Sequence, residues 1–315
     1  MHKVVVVGSL NIDLIAITNH APAAGETVNA DEFFIIPGGK GANQAVGMAR
    51  LGLDVTLIGR VGKDYFGNFL IQELEKENIN TSFISQDEDE LTSIAMIILE
   101  DSGENRIVVA QGSNYRITPA DIDQAAAEFE KADLVVCHFG RMHPVFPYVL
   151  RLAKGKNKKV LVNPAPAFQL CDELFKLISY LIVNQGEAEI ISGLQITDLT
   201  SAFQVANQLN KNGTDEVIIT LGSTGAIFSQ SNQQFHLPAF PITVVDTTAA
   251  GDAFIAGFVY GTLKDWTPKE RIRFANACGA LASTKIGAIS SLPRQVEVEQ
   301  FLLKRKEVGE GTSYS

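Results

Sequence analysis

Asp246-Thr247-Thr248-Ala249-Ala250-Gly251-Asp252 is the stretch on which the reading of this chain turns. It follows Ile242-Thr243-Val244-Val245, whose β-branched residues predict a strand. It precedes Ala253-Phe254-Ile255-Ala256-Gly257-Phe258-Val259, small and apolar, which predicts a buried helix. The chain therefore passes from strand to helix through residues that leave backbone N–H groups uncovered. Unpaired donors and the helix dipole both favour an anion at such a point. Two carboxylates flanking an anion site are odd as pure structure, because like charges repel. The arrangement makes sense if Asp252 works beside a phosphate as a base. The structural alternative is that Asp246 closes a strand and Asp252 caps a helix.

A second glycine cluster also feeds a helix. Pro37-Gly38-Gly39-Lys40-Gly41-Ala42-Asn43-Gln44-Ala45 opens a segment running to Leu51, with Ala45, Met48 and Ala49 on one face. The paired glycines allow close approach of a ligand to the backbone. Lys40 and Asn43 place polar groups beside it. The spacing is not that of a phosphate-binding P-loop. A tight turn with a solvated Lys would account for the glycines, but not for Asn43-Gln44 at an apolar helix start.

Outward from these runs, strand-like stretches alternate with helical patterns. Strands are predicted at Val4–Val7, Val55–Ile58, Leu134–Cys137, Val160–Val162, Leu181–Val183 and Val217–Thr220. Helices are predicted at Gly67–Glu77, Pro119–Lys131, Phe146–Ala153 and Ser201–Asn210. Such alternation gives a doubly wound α/β fold with a mainly parallel sheet, and places the motifs at the C-terminal strand ends, where ligands bind. Leu14–Phe34 and Thr92–Ala110 break the rhythm. They are β-rich without helical period, and Asp101-Ser102-Gly103 is a hairpin signal between Ser93–Leu99 and Arg106–Val109. They predict a small sheet standing off the main one, with strands from about 12–36 and 92–110. The domain is expected to span 1–305, and 306–315 to form a polar, disordered tail.

At 315 residues, with 46% hydrophobic and 20% charged, the chain can bury a large core. No apolar run reaches the ~18–20 residues of a membrane span. Cys137, Cys171 and Cys278 are widely spaced and odd in number, which predicts a reducing, cytoplasmic setting without disulfides or zinc. A net charge of −10 argues against nucleic acid as partner. Local N–H dipoles still admit an anionic cosubstrate. No G-x-G-x-x-G follows the first strand, which sets aside a dinucleotide-binding dehydrogenase.

The two glycine runs, in this order, resemble the signatures of the ribokinase-like (PfkB) carbohydrate kinases. Gly8-Ser9-Leu10-Asn11-Ile12-Asp13 is similar to the family's first-strand motif. Gly25-Glu26-Thr27, Gly103-Glu104-Asn105, Asn163-Pro164-Ala165-Pro166-Ala167, Asn184-Gln185-Gly186-Glu187 and Thr220-Leu221-Gly222-Ser223-Thr224-Gly225 match further along, so the resemblance runs from Val4 to about Leu302. It implies a three-layer α/β/α fold whose small sheet is a lid over a sugar and a homodimer contact. It implies ATP-dependent phosphorylation of a small sugar, D-ribose at its 5-hydroxyl, with Asp252 as base. N–H groups of Ala249, Ala250 and Gly251 would face the transferred oxygens. Asn11, Asp13, Gly39, Lys40 and Asn43 would contact the sugar. Thr220, Gly222, Gly225 and Asn276 would bind the nucleotide. Asn184 and Glu187 would serve Mg²⁺ and phosphate through water, though their spacing also suits a helix start. A K⁺ site would use Asp246, Thr248, Ala282, Lys285, Gly287 and Ser291.

One departure bears on the substrate. Ribose-specific members carry a Q-L-E-like stretch after the strand matched by Leu134–Cys137. This chain has His138-Phe139-Gly140-Arg141-Met142-His143, without the Glu. That implies looser discrimination, and Arg141 would suit a carboxylate. Fructose, deoxyribose, a 2-keto-3-deoxy sugar acid or a nucleoside stand as alternative substrates. A catalytically silent sugar-binding regulator is the alternative of another class. His138 and His143, without further ligands nearby, read as structural rather than metal-binding.

Overall fold

The structure, a computed structural model, describes residues 1–100, 102, 104–138 and 145–307. The Gly103 end of one motif, the 139–143 stretch with Arg141, and 308–315 of the expected tail lie outside the described residues. The strands are β1 Lys3–Val7, β2 Asn11–Thr18, β3 Glu32–Gly38, β4 Asp54–Gly62, β5 Asn80–Asp87, β6 Ser93–Glu100, β7 Asn105–Ala110, β8 Leu134–His138, β9 Lys159–Asn163, β10 Tyr180–Asn184, β11 Glu216–Thr220, β12 Ala226–Gln230 and β13 Gln233–Leu237. The helices are α1 Lys40–Arg50, α2 Tyr65–Lys76, α3 Pro119–Gln124, α4 Ala126–Lys131, α5 Val145–Gly155, α6 Asp172–Phe175, α7 Gln185–Ser192, α8 Leu199–Lys211, α9 Ala250–Leu263, α10 Pro268–Ala282 and α11 Gln295–Glu307.

Nine strands form the main sheet in the order β13-β12-β11-β10-β9-β8-β1-β4-β5. Pairing is parallel from β5 to β11, and antiparallel only at β11–β12 and β12–β13. Alternate residues of each strand enter opposite cores, as the two-residue period of a strand requires. Val4, Val6, Leu134, Val136, Leu161 and Ile182 pack with helices α1, α2, α9 and α10. Val5, Val7, Val135, Cys137, Val162 and Val183 pack with α3 to α8. The result is three layers, α/β/α. Strand order reverses at β1, whose neighbours β4 and β8 lie on either side, so a crevice opens at its C-terminal end.

The small sheet is observed, in the order β3-β2-β6-β7. β2 pairs antiparallel with β3 and parallel with β6. Exposed apolar side chains lie on both faces, Phe33, Ile35, Met96 and Val108 on one and Phe34 and Ile107 on the other, since successive strand residues alternate.

Two expectations are corrected. Ile242–Val245 is not a strand. Val244 and Val245 are exposed, no ladder forms among the described residues, and Val245 N–H and Asp246 N–H donate to Ser283 O. β-branched composition alone does not supply a partner strand. Pro119–Lys131 is two short helices, because the chain closes a turn at Ala125 that its own N–H caps onto Ile122 O and Asp123 O. At the C-terminal side α11 runs to Glu307.

Candidate active site

The residues expected at the sugar come together at the start of β2, in the small sheet. Asn11 and Asp13 are alternate residues at the start of β2, so they share a face, while Ile12 is buried on the other. Pairing sets Asn11 opposite Gly38 and Asp13 opposite Ile36. β3 then delivers Gly39 and Lys40 to the start of α1. Gly39 has φ 94, and a Cβ there would strike Ser9 O and Asn11 N, so only glycine fits. Burial pushes the Asp13 carboxyl up to about 6. Asn114 was not foreseen. It lies in a 3₁₀ turn, Gly112–Arg116, and is buried. Its Nδ2 donates to Asn11 Oδ1 at 2.9 Å and Leu10 O at 3.0 Å, and its Oδ1 accepts from Leu10 N–H. With Oδ1 engaged, Asn11 presents its amide donors to the crevice. The signal was slight: a Gly-Ser-Asn following a strand-like run.

Asp252 sits in the first turn of α9 and is 3% exposed. Both carboxylate oxygens accept side-chain amides from α1. Asn43 Nδ2 donates to Oδ2 at 2.9 Å, and Gln44 Nε2 to Oδ1 at 3.0 Å. The two glycine runs, about two hundred residues apart in the chain, thus meet at one carboxylate. His138, at the end of β8, is buried nearby and shares a 2.9 Å hydrogen bond with Ser9 Oγ. Burial foremost, with the positive charge of Lys40, pushes its imidazole down to about 3, so it is neutral at physiological pH.

α9 begins without a side-chain cap, and Ala249 before it is left-handed at φ 59. A non-glycine residue held there is strained, as anion turns and other functional sites often are. Ala250 N–H is taken by Thr247 O at 3.2 Å, which removes one expected donor. Ala249, Gly251 and Asp252 N–H find no acceptor among the described residues. The turn opens into a cleft of about 500 Å³. Thr220, Gly222, Gly225 and Asn276 all line it, together with Thr247, Ala250 and Gly251. Asn276 is anchored by Leu237 O and Pro238 O. The turn between β11 and β12 is therefore both an ordinary hairpin and a cleft wall.

Asn184 and Glu187 form a capping box on α7: Asn184 Oδ1 accepts from Glu187 N–H, and Glu187 Oε2 from Asn184 N–H. The helix-start alternative is thus realised. Burial raises the Glu187 carboxyl above the usual range, against the Asn184 N–H bond and the charge of Lys40, with a smaller push from Asp252. At the other side of the turn, Asp246 accepts from Thr248 N–H and Oγ1 and from Gly287 N–H. These bonds outweigh its burial and hold its carboxyl low. Asp246 and the Gly287 loop do meet. The Ser291 hydroxyl is buried and donates to Ala288 O.

Comparison with known proteins shows the family. The pfkB family carbohydrate kinase model matches residues 1–295. The chain is 36% identical over 297 residues to the ribokinase of Haemophilus influenzae, covering 94% of this chain and 97% of that one. It is 33% identical over 299 residues to the deoxyribokinase of Salmonella typhi, covering 95% and 97%. The structure of Arabidopsis thaliana ribokinase complexed with ribose and ATP superposes with a TM-score of 0.89 at 28% identity, covering 96% of this chain and 98% of that one. Family and site chemistry together define a phosphotransferase with an alcohol group as acceptor. The chain belongs to the pfkB family of carbohydrate kinases.

Proposed function

We propose that this kinase transfers the γ-phosphoryl of ATP to the 5-hydroxyl of D-ribose, with Asp252 as general base. The observation that carries the mechanism is Asp252 itself: a buried carboxylate, held by two amides, at the start of a helix with unpaired N–H groups. As the sugar oxygen bonds to the γ-phosphorus, its proton passes to Asp252 and the bond to the β–γ bridging oxygen breaks. Ala249, Gly251 and Asp252 N–H face the developing charge. ATP lies in the cleft past Thr220, Gly225 and Asn276, with its γ-phosphoryl at the turn.

The hydroxyl recognition is polar and buried. Asp13 accepts from a pair of hydroxyls, Asn11 and Lys40 donate, and Asn43 bridges sugar and base. Such a pocket discriminates against a substrate that leaves its groups unpaired. Identity to ribokinases favours ribose. The similarity to a deoxyribokinase keeps 2-deoxyribose as the second reading. Glu187 fits Mg²⁺: its Oε1 has no protein donor among the described residues, and its raised carboxyl would be relieved by a cation. It would hold the ion through water, and the ion would neutralise phosphate charge. K⁺ near Asp246 and the carbonyls of Thr248, Ala282, Lys285 and Gly287, with Ser291, would brace the turn. The exposed apolar side chains of the small sheet suit a homodimer through the lid.

Asp252→Asn tests the base. Turnover should fall by ~10²–10⁴-fold, while ATP binding, followed by titration, and the melting temperature stay near wild type. Turnover close to wild type would overturn the assignment.

A further inference from the structure

Gln44 is completely buried in α1, and its Nε2 serves two acceptors. One is Asp252 Oδ1 at 3.0 Å; the other is Asn163 Oδ1 at 3.3 Å. Asn163 closes β9 and is itself buried. Its Nδ2 donates to Ile182 O at 2.9 Å, a backbone carbonyl of β10. A backbone carbonyl can only accept. It therefore fixes which way the Asn163 amide faces, and leaves Oδ1 pointing at Gln44. That acceptor in turn fixes the Gln44 amide, so a donor and never an oxygen is turned toward Asp252. The cost of this arrangement is visible at the far end: Gln44 Oε1 is buried without a partner among the described residues. Packing alone would be served as well by a methionine, which leaves no orphaned acceptor.

We propose that Gln44 and Asn163 are positioning residues that form an amide relay from the β10 backbone to the catalytic carboxylate. The relay orients the plane of Asp252 and keeps its oxygens as acceptors, Gln44 acting directly and Asn163 only through Gln44. It rests on Asp252 being the base. A base misplaced by a fraction of an ångström still leaves substrates bound but lowers the rate of the chemical step. The relay predicts a loss in kcat without a matching change in KM.

The test is a double-mutant cycle with active-site titration of each variant. Gln44→Met conserves volume and removes the donor. Its kcat should fall roughly ten- to a hundredfold, the worth of one charge-assisted hydrogen bond, with KM for sugar and ATP within about threefold and an unchanged melting temperature. Asn163→Leu should lower kcat severalfold in the wild-type background and not at all in Gln44→Met. Additive losses, a loss confined to KM, or wild-type kcat in Gln44→Met would overturn the relay. Should Asn163→Leu fail to fold, the kcat-against-KM split of Gln44→Met decides alone. Asp252→Asn, run alongside, separates the two ideas. If it is active, the base assignment falls and the relay with it. If it is dead while Gln44→Met is fully active, the relay alone falls.

Discussion

Sugar binding should weaken in mild acid because of Asp13. Its carboxyl is pushed from 3.8 to about 6 by burial at the start of β2. To accept from two sugar hydroxyls it must be ionised. About nine tenths of it is ionised at pH 7 and about one tenth at pH 5, one unit either side of the titration. The dissociation constant for D-ribose should therefore rise about tenfold between pH 7 and pH 5. His138 does not contribute across this window, because it stays neutral down to about 3. Isothermal titration of ribose without ATP keeps phosphate and metal ions out of the measurement. Near pH 6 the binding enthalpy should vary with the ionisation enthalpy of the buffer, since binding releases part of a proton.

The stability effect has the opposite sense. A folded value above the unfolded one means that the native state prefers the protonated acid. Asp13's contribution to the stability of the sugar-free protein is therefore full below about pH 3.8 and is lost as pH rises through about 6. Sugar binding grows over the range in which that contribution fades. Asp13→Asn should bind ribose weakly and with no dependence on pH between 5 and 7.5. A flat profile in the wild type, or the same slope in Asp13→Asn, would refute the role given to this carboxylate.

Two more outcomes are expected. Turnover should be higher in KCl than in NaCl at equal ionic strength and saturating Mg²⁺, through ordering of the turn that Asp246 ties to Gly287; equal rates would remove the cation from the account. Across D-ribose, 2-deoxyribose, fructose and a 2-keto-3-deoxy sugar acid, kcat/KM should be highest for ribose, with narrow margins because the acceptor expected near Gly140 is missing. A tenfold preference for the acid would transfer specificity to Arg141.

The architecture was legible because parallel strands buried on both faces leave a plain mark. Val4–Val7 and Val160–Val162 are uninterrupted apolar runs, and each was placed within a residue of its observed bounds. Val244 and Val245 carry the same β-branched mark but remain unpaired, since a strand needs a neighbour that composition does not reveal. In the site, the glycine-rich turns were legible because backbone that must approach a ligand excludes most side chains. The long-range polar contacts were not. Asn114 reaches Asn11 across 103 residues, and Gln44 reaches Asn163 across 119. A single buried amide has no periodicity and no neighbour in sequence that marks its partner. Glu187 shows the converse, since a residue of a capping box also feels the charges of Lys40 and Asp252.

The distances at Asp252 depend on how closely helices pack behind it. α9 lies between α1 and α10, and its surface there is small: Ala253, Ala256 and Gly257. Gly47 of α1 faces Ala256, and a Cβ on Gly47 would come within 2.8 Å of the Ala256 Cβ. Gly257 is equally crowded, by Ala275 and Cys278 of α10. These contacts let α1 approach closely enough for the short side chain of Asn43 to reach a carboxylate on the next helix. A wider spacing would leave a buried anion without donors, which costs far more than a lost surface contact. The small residues that look like mere helix packing are thus a condition for the chemistry. They are also why a helix of small apolar residues, Ala253 to Val259, follows directly upon Asp252.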